Sequence, residues 1–309
     1  MTYHNFEKEV MDLISDKLPK GHSANIKPIG KNNGIILHGL IINNGRSNIS
    51  PTIYLDYYYD EYKKGFSIED LADQIITQYK KFSIEEDFDI TVFTDYEKCK
   101  KNISYKLINY EKNVELLKDV PHIVYLDLAI VFYCLLQSDD IESSSILIKN
   151  SHMDLWNVNV NDLFDVASSN TPKLLQSDIR TLSDIVRELL EKRRESDEFG
   201  NTDTLDVPFE IPSDIESPMY VLTNKIKLYG ACCILYKHLL AEFATKMEKD
   251  LYIIPSSIHE VLLIPESEEY DKDYLTSLVK EVNATQLEPE DVLSDHVYYY
   301  SRKDDAITY

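Results

Sequence analysis

The stretch Gly34-Ile-Ile-Leu-His-Gly-Leu-Ile-Ile-Asn-Asn-Gly-Arg-Ser-Asn-Ile-Ser-Pro-Thr-Ile-Tyr-Leu55 contains two β-rich runs with Asn44-Gly45 between them. Asn and Gly accept the positive φ angles of tight hairpin turns, so this pattern predicts an antiparallel hairpin. Pro51 cannot donate to a sheet, which places the second strand at a sheet edge or puts Pro51 at its start. Just upstream, Lys31-Asn-Asn-Gly34 predicts a β-turn with Gly34 at positive φ.

Helices are predicted on both sides of this hairpin. Apolar residues within 5–18 recur at helical spacing until Pro19 ends the pattern. Ser67 is a predicted N-cap, with Asp70 at the third helical position and a buried apolar face behind it. The first 80 residues therefore predict strands that pack against helices.

A second series of the same kind follows. Residues 103–108, 123–136 and 145–148 are β-rich, and 123–136 is so continuously apolar that it predicts one central strand. Asn159 then begins another helix. The segments 24–80 and 103–170 have two interpretations: a duplicated strand-strand-helix unit, or the common way in which capped amphipathic helices begin. The sequence does not choose between them.

Residues 172–194 show apolar positions at helical spacing and predict one long amphipathic helix. The stretch 195–218 contains eight acidic residues, three prolines and no base, which is typical of a linker or a long surface loop. We therefore predict an N-terminal region 1–194, an acidic linker or loop 195–218 and a C-terminal region 219–309. The class is α+β, with mixed or antiparallel sheets built from hairpins and packed helices.

The charge of the chain excludes several classes of function. Its 309 residues include 54 acidic and 32 basic side chains, a formal net charge of −22. Such a chain lacks the excess of Lys and Arg that binds phosphate backbones or anionic membranes, so we expect no direct nucleic-acid or membrane binding. Residues 195–309 alone carry 24 acids and 9 bases, which fits either a well-solvated acidic surface or a surface that offers carboxylates to a basic protein partner. An N-terminus without an apolar run, and four cysteines without metal-type spacing, lead us to expect a cytoplasmic protein.

Ser257, His259 and Glu260 place a nucleophile type, a base type and a carboxylate within one short run. Nucleophilic catalysis requires the hydroxyl to lie within about 3 Å of an imidazole that a third group orients. Neighbours on a strand point to opposite faces, so residues this close in sequence seldom meet that demand. We prefer a structural interpretation, a hairpin turn that satisfies backbone groups, with a catalytic site as the alternative.

Asp127 lies within the apolar run 123–136, where an unpaired carboxylate is costly. It is a candidate catalytic acid, and pairing with a Lys or a backbone N–H is the alternative. The sequence contains no His-Glu-x-x-His motif, no EF-hand loop and no phosphate-binding loop that opens a helix. We therefore predict no metal site and no cofactor.

Tyrosine is the other distinctive residue, with 22 copies that include the run Tyr298-Tyr299-Tyr300. Tyrosine supplies a large contact area at low entropic cost, so Tyr298, Tyr299 and Tyr300 are candidates for binding a partner. Packing on a half-exposed sheet explains the run equally well, because tyrosine favours strands.

Several motifs together resemble a family of uncharacterised bacterial proteins, a domain of unknown function. The resemblance is carried by Lys31-Asn-Asn-Gly34, Ser50-Pro-Thr-Ile-Tyr-Leu55, Ile254-Pro-Ser-Ser-Ile-His-Glu-Val261 and Val292-Leu-Ser-Asp295. It implies a bacterial cytosolic protein and supplies no activity or catalytic residue. Two functional hypotheses stand. The first is a non-enzymatic acidic module for protein interaction or regulation. The second is a hydrolase or small-molecule enzyme with its site around the Pro-Ser-Ser-Ile-His-Glu turn.

Overall fold

The computed structural model describes residues 1–83, 91–138, 141–197, 219–255, 257–268 and 270–309. Within these ranges the chain divides into two compact units, residues 1–92 (unit 1) and residues 93–309 (unit 2). Both units contain helices and antiparallel sheets, so the predicted α+β class is confirmed. No helix in the described ranges is long and apolar enough to cross a bilayer.

Unit 1 is a three-stranded sheet with helices packed on it. Its elements are α1 (Tyr3–Lys17), β1 (Ser23–Gly30), β2 (Ile36–Asn43), β3 (Thr52–Tyr54), α2 (Leu55–Lys63) and α3 (Ile68–Phe82). The sheet has the order β1-β2-β3 and is antiparallel, with Leu40 opposite Ile53. The predicted pairing of the two β-rich runs is confirmed, and Gly34 has a φ of 70°, as expected.

The tight turn of this sheet lies before β2 and not after it. The Lys31 N–H donates to the Ile35 carbonyl at 2.7 Å, which closes the hairpin of β1 and β2. Asn44 instead begins a wider loop, in which its side-chain oxygen accepts the N–H groups of Arg46 and Ser47. The hydrophobic pattern did not reveal β1, because none of its residues is buried.

The core of unit 1 forms from one face of each long helix. Phe6, Val10 and Ile14 recur every four residues along α1 and are fully buried, because this spacing places them on one side of a helix. The predicted cap of α3 is confirmed, since Ser67 Oγ accepts the Asp70 N–H at 3.1 Å. The consecutive tyrosines at 57–59 lie in helix α2.

A short helix, α4 (Thr91–Thr94), spans the division between the units. Unit 2 then continues with α5 (Tyr96–Lys100), β4 (Ile103–Asn109), α6 (Val114–Leu117), β5 (His122–Tyr125), β6 (Leu128–Ser138), β7 (Ile141–Leu147), α7 (Asn150–Trp156), α8 (Val160–Leu174), β8 (Ser177–Thr181) and α9 (Leu182–Asp197). Its last elements are β9 (Tyr220–Asn224), α10 (Leu239–Met247), β10 (Leu251–Ile254), β11 (Val261–Pro265), α11 (Lys272–Thr285), β12 (Tyr298–Ser301) and β13 (Ala306–Thr308).

Two antiparallel sheets organise unit 2. In the first, β6 pairs with β4 on one side and with β5 and β7 on the other. The second has the order β13-β12-β10-β11-β9-β8. Buried residues of both sheets belong to one core, in which Phe132, Leu263 and Tyr298 take part.

The apolar run 123–136 is not one strand, and that prediction is wrong. It is the hairpin of β5 and β6, with Ile123 opposite Ile130 and a turn at Leu126 and Asp127. Leu126 has a φ of 56°, which allows the chain to reverse there. Because both strands are apolar and the turn has only two residues, the pattern looks continuous in sequence. Asp127 therefore lies in a turn and not within a strand.

The predicted helix 172–194 is also wrong, because β8 interrupts it. β8 pairs with β9 across the acidic stretch 195–218, and Ile179 lies opposite Leu222. The strands on either side of this stretch thus belong to one sheet, and the compact units divide at residue 92. Most of the acidic stretch, residues 198–218, lies outside the described residues, and its role as a linker stays a prediction.

The segments 24–80 and 103–170 both place strands before helices, but their sheets differ. The first segment has three strands in sequential order, whereas in the second β6 lies between β4 and the pair β5 and β7. The interpretation as a duplicated unit stays a prediction.

Candidate functional site

The turn between β5 and β6 presents the Asp127 carboxylate to the segment that leads into β12. Ser294 Oγ donates to Asp127 Oδ2 at 2.6 Å, and His296 Nδ1 lies 3.0 Å from the same oxygen. The Tyr298 hydroxyl donates to Asp127 Oδ1 at 2.6 Å. The Tyr110 N–H donates to the Asp127 carbonyl at 3.0 Å and holds the turn itself. One carboxylate therefore collects three side chains from a segment far away in sequence.

His296 is the exposed member of this cluster. Its side chain is 54 % exposed, against 16 % for Asp127. The ring stacks on Tyr309, with 5.5 Å between the centroids, and the His296 backbone N–H donates to Ser294 Oγ at 3.0 Å. Because Asp127 holds Nδ1, Nε2 points away from the carboxylate, and within the described ranges it has no hydrogen-bond partner. A carboxylate that orients one ring nitrogen and leaves the other open is the arrangement of a general base.

Burial and hydrogen bonds set the charge state of the cluster. Burial opposes the charged form of Asp127, but hydrogen bonds from Ser294, Tyr298 and His296 outweigh it and hold the pKa below the ordinary value of 3.8. Burial, and then the charge of Asp127, raise the pKa of Tyr298. At neutral pH the cluster therefore contains the Asp127 carboxylate, which accepts hydrogen bonds, and the neutral Tyr298 phenol, which donates one.

The turn that contains Ser257, His259 and Glu260 forms a separate cluster between β10 and β11. The His259 N–H donates to Ser257 Oγ at 3.0 Å, and the Thr223 hydroxyl donates to the His259 carbonyl at 2.8 Å. The Tyr229 N–H lies 3.2 Å from His259 Nδ1, and the two rings stack at 5.6 Å. Such contacts hold backbone groups in place, as the structural interpretation of this turn requires.

The remaining contacts of this turn do not assemble a nucleophile and a base. Ser257 is buried at 7 % exposure, and His259 Nε2 lies 3.6 Å from Asp291 Oδ1. Burial raises the pKa of Glu260, although the charges of His259 and Lys227 oppose the shift. Within the described ranges, no hydrogen bond or ion pair joins Asp127 to His259 or to Glu260. Ser256 lies outside the described residues.

Two of the residues that contact Asp127 were not predicted as site residues, namely Ser294 and His296. The one signal in the sequence was the stretch Val292-Leu-Ser-Asp295, which contains Ser294 and ends one residue before His296. Nothing in that stretch points to Asp127, because the two segments meet only in the folded chain.

The three candidate binding tyrosines alternate along β12. Tyr298 and Tyr300 are 0 % and 3 % exposed and belong to the core, whereas Tyr299 is half-buried. The Tyr300 hydroxyl donates to Asp305 Oδ1 at 2.6 Å. Of the three rings, only that of Tyr299 reaches the surface.

Metal-ligating side chains do not converge in the part of the chain that the structure describes: no group of three His, Cys, Asp or Glu residues there has the geometry to hold an ion. Searches among curated proteins and among solved structures found no match. Residues 3–302 match the family described as "Family of unknown function (DUF5688)". The match covers nearly the whole chain, which therefore belongs to this family.

Proposed function

We propose that this protein is a non-enzymatic module that binds a basic protein through an acidic surface of unit 2. The observation that carries the proposal is the position of Tyr299, whose hydroxyl lies 3.1 Å from Asp250 Oδ2 and 3.1 Å from Glu266 Oε2 and shares its one proton between them. One phenol thus holds two carboxylates side by side at the open end of the β10–β11 hairpin. A Lys or Arg of a partner is attracted to such a pair.

Further contacts hold these carboxylates in place. The Glu266 N–H donates to the Asp250 carbonyl at 2.8 Å. Arg302 donates to Asp250 Oδ1 through its backbone N–H and through Nε, at 3.2 Å each. The ring of Tyr252 packs against that of Tyr299, with 5.5 Å between centroids. Side chains that are already held lose little conformational entropy when a partner binds.

The charge of unit 2 supports a basic partner. Unit 2 contains 40 of the 54 acidic and 22 of the 32 basic residues, a formal charge of −18. This surplus attracts a cationic protein before contact and raises the rate of encounter. Salt screens such attraction, with a Debye length of about 10 Å at 0.1 M ionic strength. Binding that weakens as salt rises is therefore the signature of this function.

We expect a decapeptide rich in Lys and Arg to bind the full chain, and to bind the Tyr299→Phe variant about three- to tenfold more weakly. The substitution keeps the ring and removes the hydroxyl that holds Asp250 and Glu266 together. Isothermal titration calorimetry at two ionic strengths measures this change and the salt dependence. Tyr274→Phe is the matched control, because Tyr274 is 57 % exposed on α11, and it should bind as the unaltered chain does.

Glu266→Gln provides a second variant that retains a hydrogen-bond acceptor and loses the charge, and it should weaken binding to a similar degree. Equal affinity of the Tyr299 and Tyr274 variants would contradict the proposal. Binding that is insensitive to salt would also contradict the proposal. So would an acidic decapeptide that binds as tightly as the basic one.

A hydrolase is the second candidate, and the Asp127–His296 pair is the observation that favours it. In this function His296 Nε2 accepts a proton from water while the water oxygen attacks an ester carbonyl, and the proton then passes to the leaving group. Asp127 stabilises the imidazolium that forms in between. Compared with the site expected from the sequence, this one retains Asp127 and replaces His259 with His296.

Under this second candidate, His296→Ala should lower the hydrolysis of an activated ester such as p-nitrophenyl acetate by about 100-fold or more. His259→Ala is the matched control and should retain the rate, since His259 contacts a different cluster. The absorbance of released p-nitrophenolate measures both rates. A rate for the unaltered chain equal to that of buffer, or equal losses in the two variants, would exclude the general-base role.

A further inference from the structure

A cavity of about 410 Å³ lies in unit 2 between the segment that leads into α10 and the strands β12 and β13. Buried side chains form its floor, among them those of Ile234, Tyr236, Leu240 and Tyr300. Pockets that hold small organic ligands have volumes of roughly 300–1,000 Å³ and mostly apolar walls. The cavity therefore has the size and the lining of a site for such a ligand.

Aromatic rings contribute much of this lining. Tyr125, Tyr236 and Tyr300 all line the cavity, together with the partly exposed side chain of Ile307. The Tyr236 hydroxyl donates to the Leu175 carbonyl at 2.7 Å, so the floor does not present an unsatisfied phenol. Ring pairs in offset or edge-to-face contact gain free energy beyond the burial of their area. Such a lining favours an aromatic ligand over an aliphatic one.

One carboxylate stands at the rim of the cavity. The Tyr300 hydroxyl donates to Asp305 Oδ1 at 2.6 Å, which fixes the carboxylate beside the aromatic floor. Burial, and then this hydrogen bond, raise the pKa of Tyr300 to about 12, so the phenol remains a donor at neutral pH. Within the described ranges, no other hydrogen bond or ion pair involves the Asp305 side chain. Its second oxygen, Oδ2, is left for a ligand.

The bases next to Asp305 in sequence do not cancel its charge at the cavity. Arg302 pairs through Nε with Asp250 at 3.2 Å, and Lys303 does not line the cavity. None of the described lining residues is a Lys or an Arg. A cation is attracted both by a carboxylate and by the faces of aromatic rings. The polar group that fits beside Asp305 is therefore cationic.

We propose that this cavity binds a small aromatic amine in its ammonium form. The ammonium group donates to Asp305 Oδ2 and lies near the tyrosine rings, while the aromatic part lies on the apolar floor. The site is separate from the acidic surface that contains Tyr299, because successive residues of a strand point to opposite faces and the cavity lies on the Tyr300 face of β12.

Tryptamine is a suitable probe, because it joins an ammonium group to an aromatic ring system. We expect saturable binding to the full chain in isothermal titration calorimetry at constant ionic strength. Asp305→Asn should lower the affinity about tenfold through the loss of a charge-assisted hydrogen bond. Asn also tolerates the φ of 47° at this position. Asp304→Asn is the matched control, since Asp304 does not line the cavity, and its affinity should stay within about twofold.

A second variant tests the cavity without a change of charge. Ala241 lines the cavity from α10 and is partly exposed, so Ala241→Leu places three additional carbons in the space that the ring would occupy. It should lower tryptamine affinity at least tenfold. Thr245→Leu, one turn further along α10 and outside the lining, should bind as the unaltered chain does. Far-UV circular dichroism confirms that each variant is folded.

Two other ligands test the chemical class. Indole-3-propionate has the same ring system and a carboxylate, and equally tight binding of this anion would overturn the role of Asp305. Ethylamine has the ammonium group without a ring, and equally tight binding of this amine would overturn the role of the aromatic floor.

The absence of saturable tryptamine binding, or equal losses in a variant and its matched control, would overturn the site itself. The NMR signals of the His238 ring, which lies at the rim, should shift on addition of tryptamine, and unchanged signals would count against this location. Tyr299→Phe should leave tryptamine binding unchanged, and Asp305→Asn should leave binding of the basic decapeptide within about twofold. Failure of this proposal is therefore distinguishable from failure of the proposed interaction function.

Discussion

Asp127→Ala is expected to lower the free energy of unfolding of unit 2 by about 3–5 kcal/mol. The substitution removes the carboxylate that accepts from the hydroxyls of Ser294 and Tyr298, and both residues are fully buried. An unsatisfied buried donor costs about 1–3 kcal/mol, and the loss of the His296 contact adds to this. Urea denaturation followed by tryptophan fluorescence measures the change in unit 2 alone, because the single tryptophan is Trp156.

Asp295→Ala is the control for this experiment. Asp295 is 43 % exposed, lies 4.0 Å from Lys112 and accepts a hydrogen bond from Asn283 Nδ2 at 2.8 Å, so the loss of these two contacts should cost no more than about 2 kcal/mol. A loss for Asp127→Ala no larger than that for Asp295→Ala would show that the cluster does not stabilise the fold.

The stabilisation by Asp127 should also depend on pH in a defined direction. Its pKa in the folded chain lies below the ordinary value of 3.8, so the unfolded chain takes up a proton first as the pH falls. The contribution of Asp127 is therefore fully present above the unfolded-state pKa and is lost as the pH falls through the folded-state pKa. An Asp127→Asn variant should show a flatter stability profile between about pH 5 and pH 2. If the stability profiles of the unaltered chain and of the Asp127→Asn variant run parallel, Asp127 is not the source of this pH dependence.

Gly230→Ala is expected to destabilise unit 2 by about 3 kcal/mol. A Cβ atom at this position would overlap the Thr223 hydroxyl and would lie 2.5 Å from the His259 carbonyl oxygen and 2.9 Å from the Asn224 nitrogen. Two of these neighbours are backbone atoms, so a strand or the 257–260 turn must move. The movement also disturbs the hydrogen bond from Thr223 to His259. The same fluorescence measurement records the effect.

Gly30→Ala provides the comparison. A Cβ atom at Gly30 would have no other atom within 4 Å, so the change in stability, measured by circular dichroism, should stay within about 0.5 kcal/mol. If Gly230→Ala is tolerated to the same extent, the close approach at Gly230 does not limit stability.

Features set by neighbouring residues were predictable from the sequence. The caps at Ser67 and Asn159 were expected, and the structure shows both, because an N-cap side chain bonds to N–H groups only two or three residues away. The positive φ of Gly34 and the pairing of β2 with β3 follow in the same way from turn chemistry and strand propensity.

Errors arose where a distant partner overrides a local pattern. Apolar spacing within 172–194 fits a helix, but the main-chain groups of β8 pair with those of β9, about 40 residues further along the chain. Likewise, the apolar run 123–136 fits one strand. The turn at Asp127 becomes visible only when the two halves of the run pair as β5 and β6.

The amino-acid sequence by itself determined the α+β class, the helix caps at Ser67 and Asn159, the acidic character of the chain and the expectation that Asp127 needs a partner. Local propensities, capping and the cost of burying charge suffice for these, since each depends on a few adjacent residues or on composition. Only the tertiary structure decided that this partner is the segment with Ser294, His296 and Tyr298, and that Tyr299 reaches the surface while Tyr298 and Tyr300 are buried. Such juxtapositions arise from contacts between residues far apart in the chain, and no spacing in the sequence records them.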